Sequence, residues 1–350
     1  MKKTSKILAL ALAGAMALSL SACGGSAPET TAAVPETTTA GSTAAAEEAD
    51  TEGETTAEAA ADGTVYQIGV LQLVQHTALD AANKGFIAAL DDSGIQYEAD
   101  QQNASGDQSA CATVASKFAN DKKDLILAIA TPAAQAMAGA GTDTPVLITA
   151  VTDPAESGLV DDNEKPGGNV TGTSDLTPVK EQIDLLKQIL PDAKKVGILY
   201  CSAEANSLIQ AQMAKAAIEA AGMTSQDFTV SSSNEIQTVV QSMVGKVDAI
   251  YAPTDNTIAA GMTTVAMVAN DNKLPVICGE AGMVDNGGLA TYGIDYYQLG
   301  YMTGQQAVKI LKDGASPADM PIEYLPIDKC ELTVNEETAQ TLGIDVSAIK

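Results

Sequence analysis

What most narrows the fold of this chain is an alternation that begins at Val65: short apolar runs separated by stretches of helical period, cycled twice. In the first cycle residues 65–71, 95–101, 124–130 and 145–151 read as strands, and residues 77–92, 107–120 and 132–140 read as helices. In the second, residues 195–200, 247–252 and 275–278 read as strands and residues 204–221 and 257–270 as helices. Short apolar runs separated by helical periods imply parallel strands covered by helices. The halves also match each other. Ile68-Gly69-Val70-Leu71 corresponds to Val196-Gly197-Ile198-Leu199, and Gly94 and Gly222 close the next helix at the same distance. The runs from Asp124 and Asp248 correspond, as do Pro145-Val146 and Pro275-Val276. The expected fold class is therefore α/β, two similar doubly wound parallel-sheet lobes joined by a hinge. With joins at 171–177 and 290–295, the lobes face each other through the carboxyl ends of their strands, where open parallel sheets hold ligands.

The 63 residues before this rhythm differ in kind. Lys2, Lys3 and Lys6 precede an apolar run from Ile7 to Leu18 that is too short for a permanent span, the order of a secretory signal over 1–22. The run ends in Leu20-Ser21-Ala22-Cys23, which resembles the lipobox of bacterial lipoproteins. That resemblance implies a diacylglycerol on Cys23 and an extracytoplasmic protein anchored to the cell membrane, since two acyl chains hold where one does not. Residues 24–63 have Val34 as their only large aliphatic side chain, so 23–63 reads as a lipidated cysteine and a disordered acidic Thr/Ala/Glu tether. Its reach is roughly 35 Å, at about 5–6 Å × √n.

Charge and composition remove several functions. The chain carries 19 basic residues, all lysine, against 45 acidic ones, a net charge of −26. With no basic run longer than a lysine pair, nucleic acid is not an expected partner. A single histidine, His76, excludes metal sites that need two, and no metal or cofactor is expected. Tryptophan is absent and aromatic content is 3%, which argues against a stacking groove. The GxSxG elbow, the Walker A loop and a GxGxxG after a strand are all missing.

Several segments resemble one family: residues 71–86 (LQLVQHTALDAANKGF), 124–140 (DLILAIATPAAQAMAGA), 149–160 (TAVTDPAESGLV), 166–175 (PGGNVTGTSD), 249–259 (AIYAPTDNTIA) and 290–307 (ATYGIDYYQLGYMTGQQA). They are similar to the tryptophan/tyrosine-type substrate-binding lipoproteins of ABC transporters. The resemblance implies a type I periplasmic-binding-protein fold, no enzyme activity, a monomer, an aromatic amino acid as ligand, and a cognate permease with its ATPase. In that fold the chain crosses between lobes three times. Lobe 1 is placed at 64–173 plus about 295–320, and lobe 2 at 176–290 plus about 325–350. Capture is by hinged closure.

A chain without arginine cannot clamp a ligand carboxylate in a guanidinium fork. Thr131 and Pro132 end a strand and start a helix, which leaves free N–H groups at Ala133 and Ala134 for an anion, or merely a structural cap. Ser202 and Asn206 offer a hydroxyl and an amide after the second lobe's first strand. For an ammonium, Asp255 beside Thr254 is the first candidate, Asp295 the second and Glu280 the third; capping the next helix is the competing role for Asp255 and Asp295. On the ligand reading, Asp255→Ala abolishes tight binding and leaves thermal stability nearly unchanged. Thr152 and Asp153 end another strand, where Asp153-Pro154 also suits a turn. Gln72, Gln75 and His76 follow the first strand, in a loop the family motif places at the cleft, with His76 read as a local hydrogen-bonding residue. Ser174 and Asp175 sit at the first crossing, as hinge or contact. Tyr200, Tyr251, Tyr292 and Tyr296 could flank an aromatic ligand, and periodicity puts Tyr251 in the core.

Cys111, Cys201, Cys278 and Cys330 remain beside Cys23 and fit no disulfide framework, so free thiols are expected. Two other functions compete. One is a receptor module that presents its closed form to a signalling partner. The other is a two-lobe amino-acid racemase, which needs a cysteine from each lobe; Cys201 ends a strand, but the loop after Leu71 has none.

Overall fold

The computed structural model describes residues 63–349; the signal segment, Cys23 and residues 24–62 of the tether lie outside the described residues. The first lobe opens with β1 (Val65–Gln72), α1 (Thr77–Asp92), β2 (Gln96–Asn103), α2 (Gln108–Asn120), β3 (Leu125–Ile129), α3 (Thr131–Gly139), β4 (Val146–Val151) and β5 (Val170–Ser174). The chain then builds α4 (Val179–Ile189), β6 (Lys195–Cys201), α5 (Ala205–Ala220), β7 (Thr224–Val230), α6 (Ile236–Met243) and β8 (Ala249–Ala252). Next come α7 (Asn256–Ala260), α8 (Met262–Asp271), β9 (Val276–Cys278), α9 (Ala281–Asp285) and β10 (Ala290–Gly293). The last elements are α10 (Tyr296–Asp313), β11 (Glu323–Tyr324), β12 (Glu331–Val334) and α11 (Glu336–Leu342).

These form two six-stranded sheets, β11-β5-β4-β3-β1-β2 and β12-β10-β9-β8-β6-β7. Every pairing is parallel except that of β10 with β12. The chain passes between sheets after β5, after β10 and between β11 and β12, and α10 returns to pack on α1, β4 and β5 of the first. Two doubly wound lobes is the architecture the apolar rhythm requires, because β3 and β4 are buried at every position and need helices on both faces.

The glycines shared by the two halves have a packing cause. A Cβ on Gly69 would lie 2.9 Å from the Phe118 ring, and one on Gly197 would lie 2.4 Å from Met243 Cε. Each lobe thus seats one large side chain from a covering helix on a bare strand position. The same device joins α1 to α10: a Cβ on Gly85 would fall 1.9 Å from the Tyr297 carbonyl, and one on Gly300 as close to that of Ala82. No side chain fits there.

Residues 257–270, expected as one helix, form two. Helix α7 ends at Ala260 and α8 begins at Met262, with Gly261 between them at φ −99° and ψ 9°; it lies against Ile236, whose Cδ1 would be 2.3 Å from an added Cβ. The 3.6-residue period runs through this break and gives no sign of it. Residues 224–243, to which the periodicity assigns nothing, form β7 and α6. Among the described residues no helix is long and apolar enough to cross a membrane.

Candidate functional site

The loops and helix starts that follow the two sheets' strands meet across the cleft. His76 Nε2 lies 3.3 Å from Asn256 Oδ1, Gln108 Nε2 donates to the Ala203 carbonyl at 3.0 Å, and Gln210 Nε2 donates to Thr152 Oγ1 at 3.0 Å. At the centre, His76, Leu79 and Ala150 of lobe 1 face Thr254, Asp255, Asn256, Ala259 and Glu280 of lobe 2, with Asp175 and Tyr296 from the crossings. The cavity left between them is about 10 Å³, space for one water. A space of about 580 Å³ continues past Pro132, Glu204 and Asn256, and another of about 240 Å³ lies at the crossings beside Glu280 and Asp295.

Lobe 2 brings carboxylates to the cleft and satisfies most of them internally. Glu204 Oε1 accepts from the N–H and hydroxyl of Thr257 at 2.9 and 2.8 Å; its Oε2 accepts from the N–H and amide of Asn256 at 3.2 and 2.6 Å. Asp255 Oδ2 accepts from the Cys201 N–H and the Ser207 hydroxyl, each at 2.6 Å, and Oδ1 caps α7 through the Ile258 N–H at 2.8 Å. Burial, then the charge of Glu204, pushes the Asp255 carboxyl up to about 7. Glu280 starts α9, accepting from the Gly282 N–H, and burial raises its carboxyl to about 7. Asp175, at the first crossing, accepts from the Tyr296 hydroxyl at 2.8 Å and from that of Thr152 at 3.3 Å; burial lifts it to about 6.

Lobe 1 presents the opposite character. Helices α1 and α3 begin without a side-chain cap; α1 carries Asp80 in its first turn, whereas the first turn of α3 holds no carboxylate and leaves the positive end of its dipole unopposed. Thr131 Oγ1 and His76 Nδ1 are buried without a hydrogen-bond partner. The strand ends are strained as well: Ala130 has φ +84° and Ala150 φ +56°, a region that costs a non-glycine residue about 1–3 kcal/mol. The orphan on the facing side of lobe 2 is Asn206 Oδ1.

The structure brings Thr254, Asp255 and Glu280 to the central cavity, Pro132 to the larger space and Asp295 to the crossing space. Asp295 is exposed and caps α10 through the Gln298 N–H at 3.1 Å. Of the N–H groups expected to be free at α3, that of Ala134 is not: it donates to the Ala130 carbonyl at 3.0 Å, leaving Ala133. Gln72 is tied to Asp80 at 2.7 Å and to the Val74 carbonyl, while Gln75 points to the surface beside Asp80 and Lys84. Asp153 organises its own turn, receiving the Glu156 N–H and the Asn163 amide. Ser174 donates to the Thr152 carbonyl and Ser202 to that of Val230. Asn206 donates to the Thr254 carbonyl at 3.1 Å. Tyr296 is the tyrosine at the central cavity; Tyr251 is fully buried and donates to Gln182, and Tyr200 lies near Asp227.

Three residues escape the sequence reading. Glu204 carries the same signal as Asp255, an acidic residue between strand and helix, and Asn256 is the next position in that loop. Gln210 carries none: it lies inside α5, fully buried, donating to Thr152 and Thr254 and accepting the Thr254 N–H at 3.2 Å. The thiols of Cys111, Cys201, Cys278 and Cys330 are all free, and burial pushes that of Cys201 up, away from the thiolate a racemase would use. Among the described residues no cluster of His, Cys, Asp and Glu could hold a metal ion.

Comparison with known proteins gives a consistent picture. Residues 67–348 match the family model of ABC transporter substrate binding proteins. The chain is 45% identical over 281 residues to the tyrosine-binding protein of Clostridioides difficile strain R20291, a match covering 79% of this chain and 81% of that protein. It is 43% identical to a Streptococcus pneumonia ABC domain solved in complex with L-Trp, with a TM-score of 0.78 over 81% of this chain and 96% of that one. A substrate-binding protein with adhesive properties from Clostridium difficile, solved ligand-free and open, is 45% identical over 80% of this chain and 96% of its own. There the TM-score is 0.62.

Proposed function

This chain belongs to the family of ABC transporter substrate-binding proteins, and from that premise we propose that it captures tyrosine or tryptophan between its lobes for delivery to an importer. The observation that carries this reading is the polarity of the two cleft faces. Lobe 1 offers the uncapped, carboxylate-free start of α3 and lobe 2 offers buried carboxylates, the complement of a zwitterion. The ligand carboxylate is assigned to the start of α3, at the Thr131 hydroxyl and the Ala133 N–H. The ammonium is assigned between Asp175 and Glu280, which line the central cavity and whose carboxyls are raised by burial. Asp255 and Glu204 serve as the scaffold beneath. The aromatic side chain follows from the relatives named for tyrosine and solved with L-Trp.

Capture is by hinged closure. At nearly equal identity the chain superposes better on the tryptophan complex than on the open relative, which supports reading this conformation as closed. The central cavity is lined from both lobes, so entry of an amino acid requires the lobes to part. A lipid on Cys23 and the tether of 24–63 would hold the monomer outside the cell membrane, within reach of its permease.

The test is calorimetric titration of the full chain with the twenty amino acids and simple sugars. Because the chain contains no tryptophan, indole fluorescence reports added tryptophan alone and gives a second readout. Binding confined to aromatic amino acids supports the reading. Binding of a sugar, or of no amino acid, removes it.

A further inference from the structure

The one histidine of the chain sits at the start of α1, inside the cleft, with its two nitrogens in unlike surroundings. Its tautomer follows from a relay that begins in the other lobe. Glu204 can only accept, so the Asn256 amide must turn its NH₂ towards Glu204 Oε2, 2.6 Å away. That turns Asn256 Oδ1 towards His76 Nε2, at 3.3 Å, and a carbonyl oxygen requires a proton on that nitrogen. Burial lowers the pKa of the ring and keeps it neutral, so Nδ1 carries a bare lone pair. Nδ1 is buried and has no partner among the described residues. A buried acceptor left unmet is costly, and the ligand is the component still to be added.

We propose that His76 Nδ1 accepts a hydrogen bond from the aromatic ring of the bound amino acid, selecting ligands whose ring carries a donor. This rests on the amino-acid reading above. A zwitterion has its ammonium as the other donor, but Asp175 and Glu280 line the same cavity, and a carboxylate outcompetes a neutral imidazole for a cation. The ring-borne donor remains: the phenol O–H of tyrosine or the indole N–H of tryptophan. Phenylalanine has neither. Its binding would desolvate Nδ1 and leave it unpaired, a mode of rejection much stronger than a missing methylene provides. Because the relay runs from Glu204 and Asn256 in lobe 2 to His76 in lobe 1, it is complete only when the lobes meet, which ties selection to closure.

Calorimetry with L-tyrosine and L-phenylalanine on the unmodified protein and on His76→Leu tests this. The unmodified protein should prefer tyrosine by at least about 30-fold, and His76→Leu should bring the two within about threefold, chiefly by weakening tyrosine. The ratio is internal to each protein, so partial loss of folded material does not alter it. Independently of any substitution, the unmodified protein should bind L-tryptophan at least about tenfold more tightly than 1-methyl-L-tryptophan, which lacks the donor. A preference retained in His76→Leu overturns the assignment. So does an equal loss for tyrosine and phenylalanine, which would place the ammonium at Nδ1. If the unmodified protein binds both ligands equally, this inference alone fails; if it binds neither of them nor L-tryptophan, the amino-acid reading fails with it.

Discussion

The two lobes repeat one α/β unit, yet their cleft faces are finished differently. In lobe 2 the strand-end carboxylates are absorbed into the protein: Asp255 caps α7 and holds Cys201 and Ser207, and Glu204 binds the first turn of α7. In lobe 1 the helix start equivalent to α7 is left open: α3 begins at Ala130 without a cap, beside an unpaired Thr131 hydroxyl, with Ala130 and Ala150 held at positive φ. Folding alone would favour treating both faces alike, since every unpaired buried group costs stability. Lobe 1 therefore reads as the face that an anionic group completes, and lobe 2 as a preorganised negative wall.

This contrast can be broken at several points. The largest effect is expected from Asp255→Ala, which strips α7 of its cap and leaves the Cys201 N–H and Ser207 hydroxyl unpaired. It should lower stability by about 2–4 kcal/mol in chemical unfolding. That reverses the expectation from sequence, where the same change spares stability and removes only the ligand. A ligand-binding defect at unchanged stability would return Asp255 to the site.

Next is Asp175→Asn, which keeps the shape of the crossing and removes a charge. Titration should show tyrosine weakened roughly 30-fold, since a charge-assisted bond is worth about 1.5–3 kcal/mol. Loss of stability without loss of affinity would make Asp175 a hinge residue instead.

Acidification should act in opposite senses on binding and on stability. In the free protein Asp175 ionises at about 6 and Glu280 at about 7, while in the unfolded chain both ionise near 4. Between those limits the folded state holds more protons, so stability falls as pH rises through the window. An ammonium favours the ionised carboxylates, so affinity should instead fall as pH drops, roughly tenfold between pH 7 and pH 5 from Asp175 alone. Thermal melts with and without tyrosine across that range read both slopes. Parallel slopes would break the link between these carboxyls and the ligand.

The smallest effect is expected at Ala150→Gly. Relief of the positive φ should stabilise the protein by about 0.5–1 kcal/mol in urea unfolding, because glycine tolerates the conformation. A destabilising result would mean that the Ala150 methyl, at the wall of the central cavity, contributes more by packing than its backbone costs.

The fold was legible because parallel strands covered on both faces have to be almost wholly apolar, as β3 is and as β4 is apart from Thr149. The repeat was legible through Gly69 and Gly197, although nothing local says that Phe118 and Met243 are the side chains that need them bare. The site was legible only to the level of strand ends. Asp255, Glu280 and Thr131 share one signal, a polar residue between a strand and a helix, and the sequence cannot separate a carboxylate that caps from one that waits. Asp175 was visible as a crossing residue but not as a buried carboxyl at the wall of the central cavity. Gln210 was invisible, since its partners Thr152 and Thr254 lie far along the chain and a buried glutamine inside a helix has no local mark.

The central claim is that one zwitterion spans the two faces, carboxylate to lobe 1 and ammonium towards lobe 2. Thermal melting of the protein with L-tyrosine, N-acetyl-L-tyrosine and L-tyrosinamide addresses it most directly. Tyrosine at about a hundred times its Kd should add roughly 2.7 kcal/mol and raise the midpoint by a few degrees. Neither blocked derivative should move it at the same concentration. An equal shift from either derivative would mean that the corresponding lobe does not read the charge it is assigned, and would contradict the account.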